Sequence, residues 1–496
     1  MPQADLILAI DQGTTSSRAV VVDRSGRFLD VAQEEIDQIY PRSGWVNHDA
    51  NNIWDVTMRV VRQALDRLDG GIDRIAAIGI TNQRETTVLW DRATGEPVAP
   101  AIVWQSRQSA DIIRDLEERG QAETYRRITG LVPDAYFSAS KIAWLLDDQP
   151  ELRKRAEAGE VVFGTIDTWL IWKLTGGASH VIDHSNAART MLFDIRSGEW
   201  SRELLDDLSI PEAILPEIVP NAGKIAVTDA SIFGREIPIT GSAGDQHAAL
   251  FGQACFQPGE AKNTYGTGSF LLMQTGPEAT TSRNRLLTTI AWDIEGQTEY
   301  ALEGSIFVTG AAVQWLRDGL GIIERASDVE ALAASVPDTA GVSFVPALSG
   351  MGAPHWDADA RGTIIGISRG TTVAHIARAT LEAIAMQSRD VLQAMQDDAG
   401  ISLAELRVDG GAAANDLLMQ IQADVLGVPV VRPKNVETTV LGAAYLAGIG
   451  CGLWDGREDV RDSWEVDKRF EPAITDAERQ ARVDAWADAV GRAKSQ

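Results

Sequence analysis

The sequence predicts an α/β protein built from two duplicated domains that meet face to face. Three observations carry that prediction. In residues 7–23 an aliphatic run enters a Gly- and hydroxyl-rich turn, and a β-branched run leaves it. Residues 260–273 echo this weakly, with a run, a turn around Gly266, Thr267 and Gly268, and an apolar run again. Between and after these stand short apolar runs that each end in a polar or small-residue cluster, at 75–87, 101–105, 237–247 and 406–415. In open α/β sheets ligands gather at such strand ends.

The first turn sets the chemistry. Its flanks are short and β-branched, so residues 7–23 form a hairpin and not the strand-to-helix turn of Walker and dinucleotide loops. Gly13 lets the backbone approach an anion, and Thr14, Thr15 and Ser16 add hydroxyl donors beside the main-chain N–H groups. Asp11, at the strand end, suits a hydrated divalent cation on a polyphosphate, and Arg18 can neutralise charge. An ordinary polar hairpin turn has the same composition, so this loop alone does not decide. With one such loop opening each half, a nucleotide would be clamped between domains 1–256 and 257–496, divided at Gln257-Pro258-Gly259.

Bulk properties narrow the partners. The 496 residues leave room for two sizeable cores. A net charge of −26 and a pI near 4.6 disfavour nucleic acid and anionic membranes, and an acidic substrate such as ATP then needs local cations and Mg²⁺. No basic segment with an apolar core opens the chain and no long apolar run follows, so no integral membrane segment is expected and the chain reads as cytoplasmic. Cys255 and Cys451 stand far apart without a CxxC, which argues against a disulfide framework or a zinc site.

Taken in order, a polar loop at 44–49 precedes a helix at 52–68. Residues 75–80 have the pattern of a buried strand that runs into the cluster 81–87. There Arg84 beside Glu85 offers donors and acceptors suited to a polyol; a surface ion pair is the plainer reading. Residues 101–105 read as a strand ending in a polar turn, where Trp104 either walls a small site or is core. Residues 136–145 read as a loop and a helix start, with Tyr136 able to donate a hydrogen bond. His180 and His184 would suit a metal only on a helix, and their Gly- and Ser/Asn-flanked segment reads as loop. In 237–247 a strand enters a glycine-punctuated turn and then a helix; Asp245, beside Gln246, can take a proton from a substrate hydroxyl or simply cap the helix. Residues 406–415 form a strand and a small-residue turn that could pack flat on adenine or ribose, with a helix at 416–426. An amphipathic helix at 475–496 ends the reading.

In this order the elements resemble the FGGY family of sugar kinases, and within it the members that act on glycerol, from residue 6 to about 454. The resemblance rests on Asp11-Gln12-Gly13-Thr14-Thr15-Ser16-Ser17-Arg18, Asn82-Gln83-Arg84-Glu85-Thr86, Ile102-Val103-Trp104-Gln105 and Gly244-Asp245-Gln246, which are jointly very specific. Gly362-Thr363-Ile364-Ile365-Gly366-Ile367, His375-Ile376 and Thr380-Leu381-Glu382 also match and read as structural. Arg84-Glu85 is the feature that points to glycerol and away from a pentulose.

The resemblance implies a ribonuclease-H-like, actin-like ATPase fold of two domains with a deep cleft. It implies ATP-dependent, Mg²⁺-assisted phosphorylation of glycerol to sn-glycerol 3-phosphate by homodimers or homotetramers. By position, Asp245 would be the general base on the 3-hydroxyl. Arg84, Glu85, Tyr136 and Gln246 would hydrogen-bond the triol, with Trp104 and Phe270 against its carbon face. Thr14, Thr15, Ser16, Arg18 and Thr267 would bind phosphates, and Gly310, Gln314, Gly411 and Asn415 the rest of the nucleotide. Asp11 would order Mg²⁺ through water. The competing readings are a kinase of dihydroxyacetone, erythritol or xylulose, and a nucleotide-binding scaffold without catalysis.

The chain also departs from the family. The stretch matching a regulatory sugar-bisphosphate loop, residues 231–237, is shorter and contains Glu236, and Ser231 stands where other relatives carry a phosphorylatable histidine. Neither form of control is expected. His247 replaces a glutamine frequent in relatives, with little expected consequence.

Overall fold

The structure is a computed structural model and describes residues 4–357 and 359–495; Gln496, the last residue of the predicted C-terminal helix, lies outside them. The main sheet has 13 strands among the described residues. Along the chain they are β1 (Leu6–Gln12), β2 (Ser16–Val22), β3 (Phe28–Glu35), β4 (Ile75–Asn82), β5 (Ala222–Val227) and β6 (Pro238–Gly244) in the first half. The second half adds β7 (Ala261–Tyr265), β8 (Ser269–Gly276), β9 (Leu287–Ile294), β10 (Gln297–Ile306), β11 (Leu406–Asp409), β12 (Val430–Pro433) and β13 (Val466–Phe470). Their order across the sheet is β13-β12-β11-β7-β8-β10-β9-β5-β6-β4-β1-β2-β3.

The duplication is visible in the wiring. In the first half β1, β2 and β3 run antiparallel, while β4 lies parallel on the other side of β1 and β6 parallel to β4. In the second half β7, β8 and β10 run antiparallel, while β11 lies parallel on the other side of β7 and β12 parallel to β11. The two Gly/Thr turns therefore sit at equivalent corners, between β1 and β2 and between β7 and β8. The halves join at one pairing, Ala222 of β5 with Ile294 of β9.

Helices cover the strands wherever their apolar faces demand it. Helix α1 (Ala50–Asp66) is capped by Asp49, whose side chain accepts from the Asn51 N–H, and buries Ile53, Val56, Val60 and Val61 against the first half. Helix α2 (Asp245–Gly252) follows β6 directly. Helices α3 (Val373–Ala399), α4 (Asp416–Leu426) and α6 (Asp476–Ala493) pack on the second half. Helix α5 (Thr438–Cys451) is apolar on nearly every face, so burial on all sides suits it. It lies on β1, β4 and β6 of the first half although it comes late in the chain. It shares one core with Ile7, Ala9, Val20, Val22 and Phe251. At Gly442 a Cβ would stand 1.8 Å from the Ala248 carbonyl, so only glycine lets α5 cross α2 this closely.

The structure departs from the sequence reading in two places near the site. The strand expected over 101–105 stops after Ala101–Ile102, because the Ser106 N–H turns back to the Val103 carbonyl. Val181–Asp183 is a short strand and His184 opens a helical turn. The His180 and His184 rings pair with the carbonyls of Phe163 and Val219, at 2.7 and 2.9 Å. Among the described residues no group of three or more His, Cys, Asp or Glu side chains is placed to hold a metal ion.

Candidate active site

The C-terminal ends of β4 and β6 place their two polar clusters side by side. Arg84 and Glu85 follow β4, and both are buried, which rules out the surface ion pair. They are not chiefly each other's partners, for Arg84 Nε stands 3.9 Å from Glu85 Oε1. The Arg84 guanidinium instead donates to Glu303 at 2.5 and 3.1 Å and lies 3.1 Å from Asp245 Oδ1. Arg189 donates to Glu85 at 2.7 Å and to Glu303 at 3.1 Å. Two guanidinium groups thus interleave with Glu85, Glu303 and Asp245. Burial alone would raise Glu303, but Arg189 and Arg84 outweigh it and hold that carboxyl below its ordinary range. Burial raises Glu85, which the same arginines offset only in part. Asp245, one-third exposed, is the member that faces open space.

The backbone here is shaped to the task. Glu85 adopts φ +61°, uncommon for a residue with a side chain, and the Thr86 N–H reaches the Arg84 carbonyl at 2.7 Å. A Cβ on Gly244 would meet Arg84 Cδ at 2.7 Å, so the glycine before Asp245 lets the arginine lie flat against the chain. Ser138 Oγ and Lys141 Nζ donate to the Glu85 carbonyl at 3.1 and 3.5 Å, and Lys141 also donates to the Tyr136 carbonyl. Burial lowers Lys141 to about 7.

Aromatic rings close the other side. Trp104 and Tyr136 meet edge to face with centroids 5.4 Å apart. The Arg189 guanidinium lies 5.9 Å from the Tyr136 ring, and that of Arg84 lies 5.9 Å from Phe270. Trp104 Nε1 donates to Thr14 Oγ1 at 2.9 Å, which ties this pocket to the β1–β2 turn. Register brings the second half in. Lys262, Leu272 and Glu303 form one rung across β7, β8 and β10, and Thr264, Phe270 and Ser305 form the next but one. Lys262, Glu303 and Phe270 therefore project from one sheet face toward Asp245 and Gln246.

The first turn is closed by the Gly13 N–H on the Ser16 carbonyl at 2.9 Å, leaving Thr14 half-buried and Thr15 exposed. Asp11 and Arg18 face each other across the hairpin. Burial raises the Asp11 carboxyl to about 6, although Arg18 lowers it. That carboxylate accepts no hydrogen bond from any described residue and borders a cavity of about 560 Å³ with Thr264, Asp409, Arg432 and Glu437. Arg18 is ion-paired with Glu437 from the loop before α5, across the two halves. A second cavity of about 380 Å³ is lined by Thr267, Gly310, Gln314 and Asn415, and the two cavities share Gly411 and Ala414. Every residue predicted for the nucleotide's far side lines that second cavity.

Sequence reasoning missed Arg189, Glu303, Lys262 and Glu437. Nothing beside them in the sequence marks them as site residues; strand register and the packing of distant segments bring them here. Ser231 lies in a helical turn, Ala230–Phe233, capped by Asp229, and Arg235 donates to the Ile72 carbonyl at 3.3 Å.

Comparison with known proteins agrees with this geometry. The family model for the N-terminal domain of the FGGY family of carbohydrate kinases matches residues 6–252, and that for the C-terminal domain matches 261–451. A glycerol kinase of Aromatoleum aromaticum is 59% identical over 98% of both chains. Glycerol kinase 2 of Thermotoga maritima is 57% identical, again over 98% of both. The solved structure of Plasmodium falciparum glycerol kinase with ADP superposes with a TM-score of 0.95 at 36% identity, covering 100% of this chain and 99% of that one. A gluconate kinase from Lactobacillus acidophilus, 24% identical with a TM-score of 0.88 over 98% and 97%, shares the fold. With family models matching residues 6–252 and 261–451, and a relative 59% identical over 98% of both chains, the chain belongs to the FGGY family of carbohydrate kinases.

Proposed function

We propose that the chain is a glycerol kinase, moving the γ-phosphoryl group of ATP to the 3-hydroxyl of glycerol. The observation that carries this reading is Asp245, a partly exposed carboxylate held at 3.1 Å by Arg84 and near enough to Asp11 for its charge to act there. Phosphoryl transfer needs alignment and charge neutralisation more than covalent chemistry, and the acceptor alcohol needs one base. Asp245 takes the hydroxyl proton. Arg84, Glu85, Tyr136 and Gln246 satisfy the triol, while Trp104 and Phe270 pack its carbons. A site built to pair hydroxyls rejects an analogue lacking one by roughly 10⁴-fold, since its buried polar groups are left unpaired.

On the nucleotide side, Thr14, Thr15, Ser16, Arg18 and Thr267 take the phosphates, and Gly310, Gln314, Gly411 and Asn415 take the adenosine. Asp11 fits a water-mediated Mg²⁺, because its carboxylate borders the phosphate cavity and has no hydrogen-bond donor of its own. Bound there, the cation would neutralise charge on the phosphates and help align them. We place the domain boundary at Gln257-Pro258-Gly259. A cytoplasmic setting agrees with two free cysteines, Cys255 buried and Cys451 exposed. Among the described residues no helix is long and apolar enough to cross a membrane.

The test is coupled ADP release with Mg²⁺–ATP against glycerol, dihydroxyacetone, erythritol and xylulose. A kcat/KM dominated by glycerol is expected. Preference for a larger polyol would overturn the pocket assignment, and absence of polyol-stimulated turnover would overturn the catalytic reading.

A further inference from the structure

Lys262 stands wholly buried on β7, behind the residue that follows Asp245. Its Nζ donates to Gln246 Oε1 and, at 2.8 Å, to Thr264 Oγ1. An ammonium carries three donors and no acceptor, so only the oxygen of the Gln246 amide can face it. The direction of that amide is thus set by chemistry, without needing to tell nitrogen from oxygen by position. Its other end, Nε2, donates to no described residue. Gln246 is itself 7% exposed, in the first turn of α2 beside Asp245.

We propose that Lys262 is a positioning residue that fixes Gln246 as a hydrogen-bond donor, so that the polyol is read by an acceptor, Asp245, and a donor, Gln246, in fixed order. The inference rests on the glycerol kinase reading and adds to it the residue that sets the polarity of the pocket. Without Lys262 the amide could turn over and present its carbonyl beside the Asp245 carboxylate, leaving two acceptors where the substrate needs one of each. The bland alternative is a buried cation that only balances Asp409, Asp245 and Glu303, whose charges act on it. Such a cation would not need to touch Gln246, whereas this one does. The second hydrogen bond, to Thr264, anchors the ammonium against the phosphate cavity that Thr264 lines.

The test is a double-mutant cycle on full-length protein with Lys262→Met, Gln246→Glu and both together, read as separate KM values for glycerol and ATP. Gln246→Glu keeps an acceptor for Lys262 but can no longer donate to the polyol. Each single change is expected to raise KM for glycerol about tenfold, the worth of one buried hydrogen bond, with KM for ATP changed less than about twofold. The double variant should be no worse than either single one, because both remove the same donor. Multiplying effects, of about a hundredfold, or an equal rise in KM for ATP would overturn the proposal. If Lys262→Met does not fold, Gln246→Glu decides alone: an unchanged KM for glycerol refutes a donor at this position, and the expected rise supports it. Wild-type protein that shows no polyol-stimulated ADP release would refute the kinase reading before any substitution is made, and this inference with it.

Discussion

Arg84 Nε lies 3.1 Å from Asp245 Oδ1 while the same guanidinium grips Glu303. The arginine therefore aims the proposed base without depending on it for neutralisation. Replacing Asp245 by Asn removes the proton acceptor and keeps the shape, so kcat should fall by about 10²- to 10⁴-fold. ADP affinity, measured by calorimetry, should stay as in the wild type. Retained turnover would remove Asp245 from the role of base.

Glu303 is the shared counter-ion of Arg84 and Arg189, with no exposed surface. Glu303→Gln leaves two buried guanidinium groups to face Glu85 and Asp245 alone. Breaking one partner out of such a network costs about 3–5 kcal/mol, more than the median surface pair by several-fold. Chemical denaturation should show that loss, together with a raised KM for glycerol. A variant as stable as the wild type would show that the cluster does not need its third carboxylate.

Asp11 gives a pH signature. Its folded pKa, raised to about 6 by burial, lies above its unfolded value, so the folded chain binds the proton more tightly. Ligand-free stability should then gain from Asp11 as pH falls through about 6, levelling off below the ordinary Asp range near 3.9. If Asp11 holds Mg²⁺ as proposed, binding of Mg²⁺–ADP should weaken over the same interval. Melting wild type and Asp11→Asn from about pH 7.5 to about pH 5 isolates the effect, because the Asn variant lacks it. Identical slopes in the two proteins would refute this.

On the proposed phosphate role of Arg18, its ion pair with Glu437 would compete with the nucleotide. Arg18 is 20% and Glu437 49% exposed, so their pair is worth about 0–1 kcal/mol after solvent screening. Glu437→Gln should therefore tighten ADP binding by at most about fivefold, with the gain shrinking as salt is raised. Weaker binding in the variant would mean that Glu437 supports the phosphate side and does not oppose it.

Much of the site could be read from residue order because local chemistry fixes it. The turn after Gln12 has Gly13 and three hydroxyls between two β-branched strands, and it folds as the hairpin those residues dictate. Asp245 was legible because a strand, a glycine and a helix start leave few places for its side chain. The cluster around Arg84 was not legible in full. Glu303 and Lys262 reach it only because β7, β8 and β10 pair in a register that puts both on the rung of Leu272. Arg189 arrives from a turn after residues 184–187 with no motif around it. Trp104 was expected at the end of a strand that proves two residues long, since the chain turns at Val103 to bring its indole to Thr14.

The late position of α5 has a consequence for the chain as it is being made. The ribosome releases β1, β2, β4 and β6 long before residues 438–451, and domains form in order as synthesis proceeds. Until those residues emerge, Ile7, Ala9, Val20 and Val22 lack the helix whose Val440, Leu441 and Ala444 complete their core. The nascent first half is thus an unfinished sandwich, with an apolar floor open to misassociation. Its completion is timed by a late stretch of the second half, so the two halves mature together.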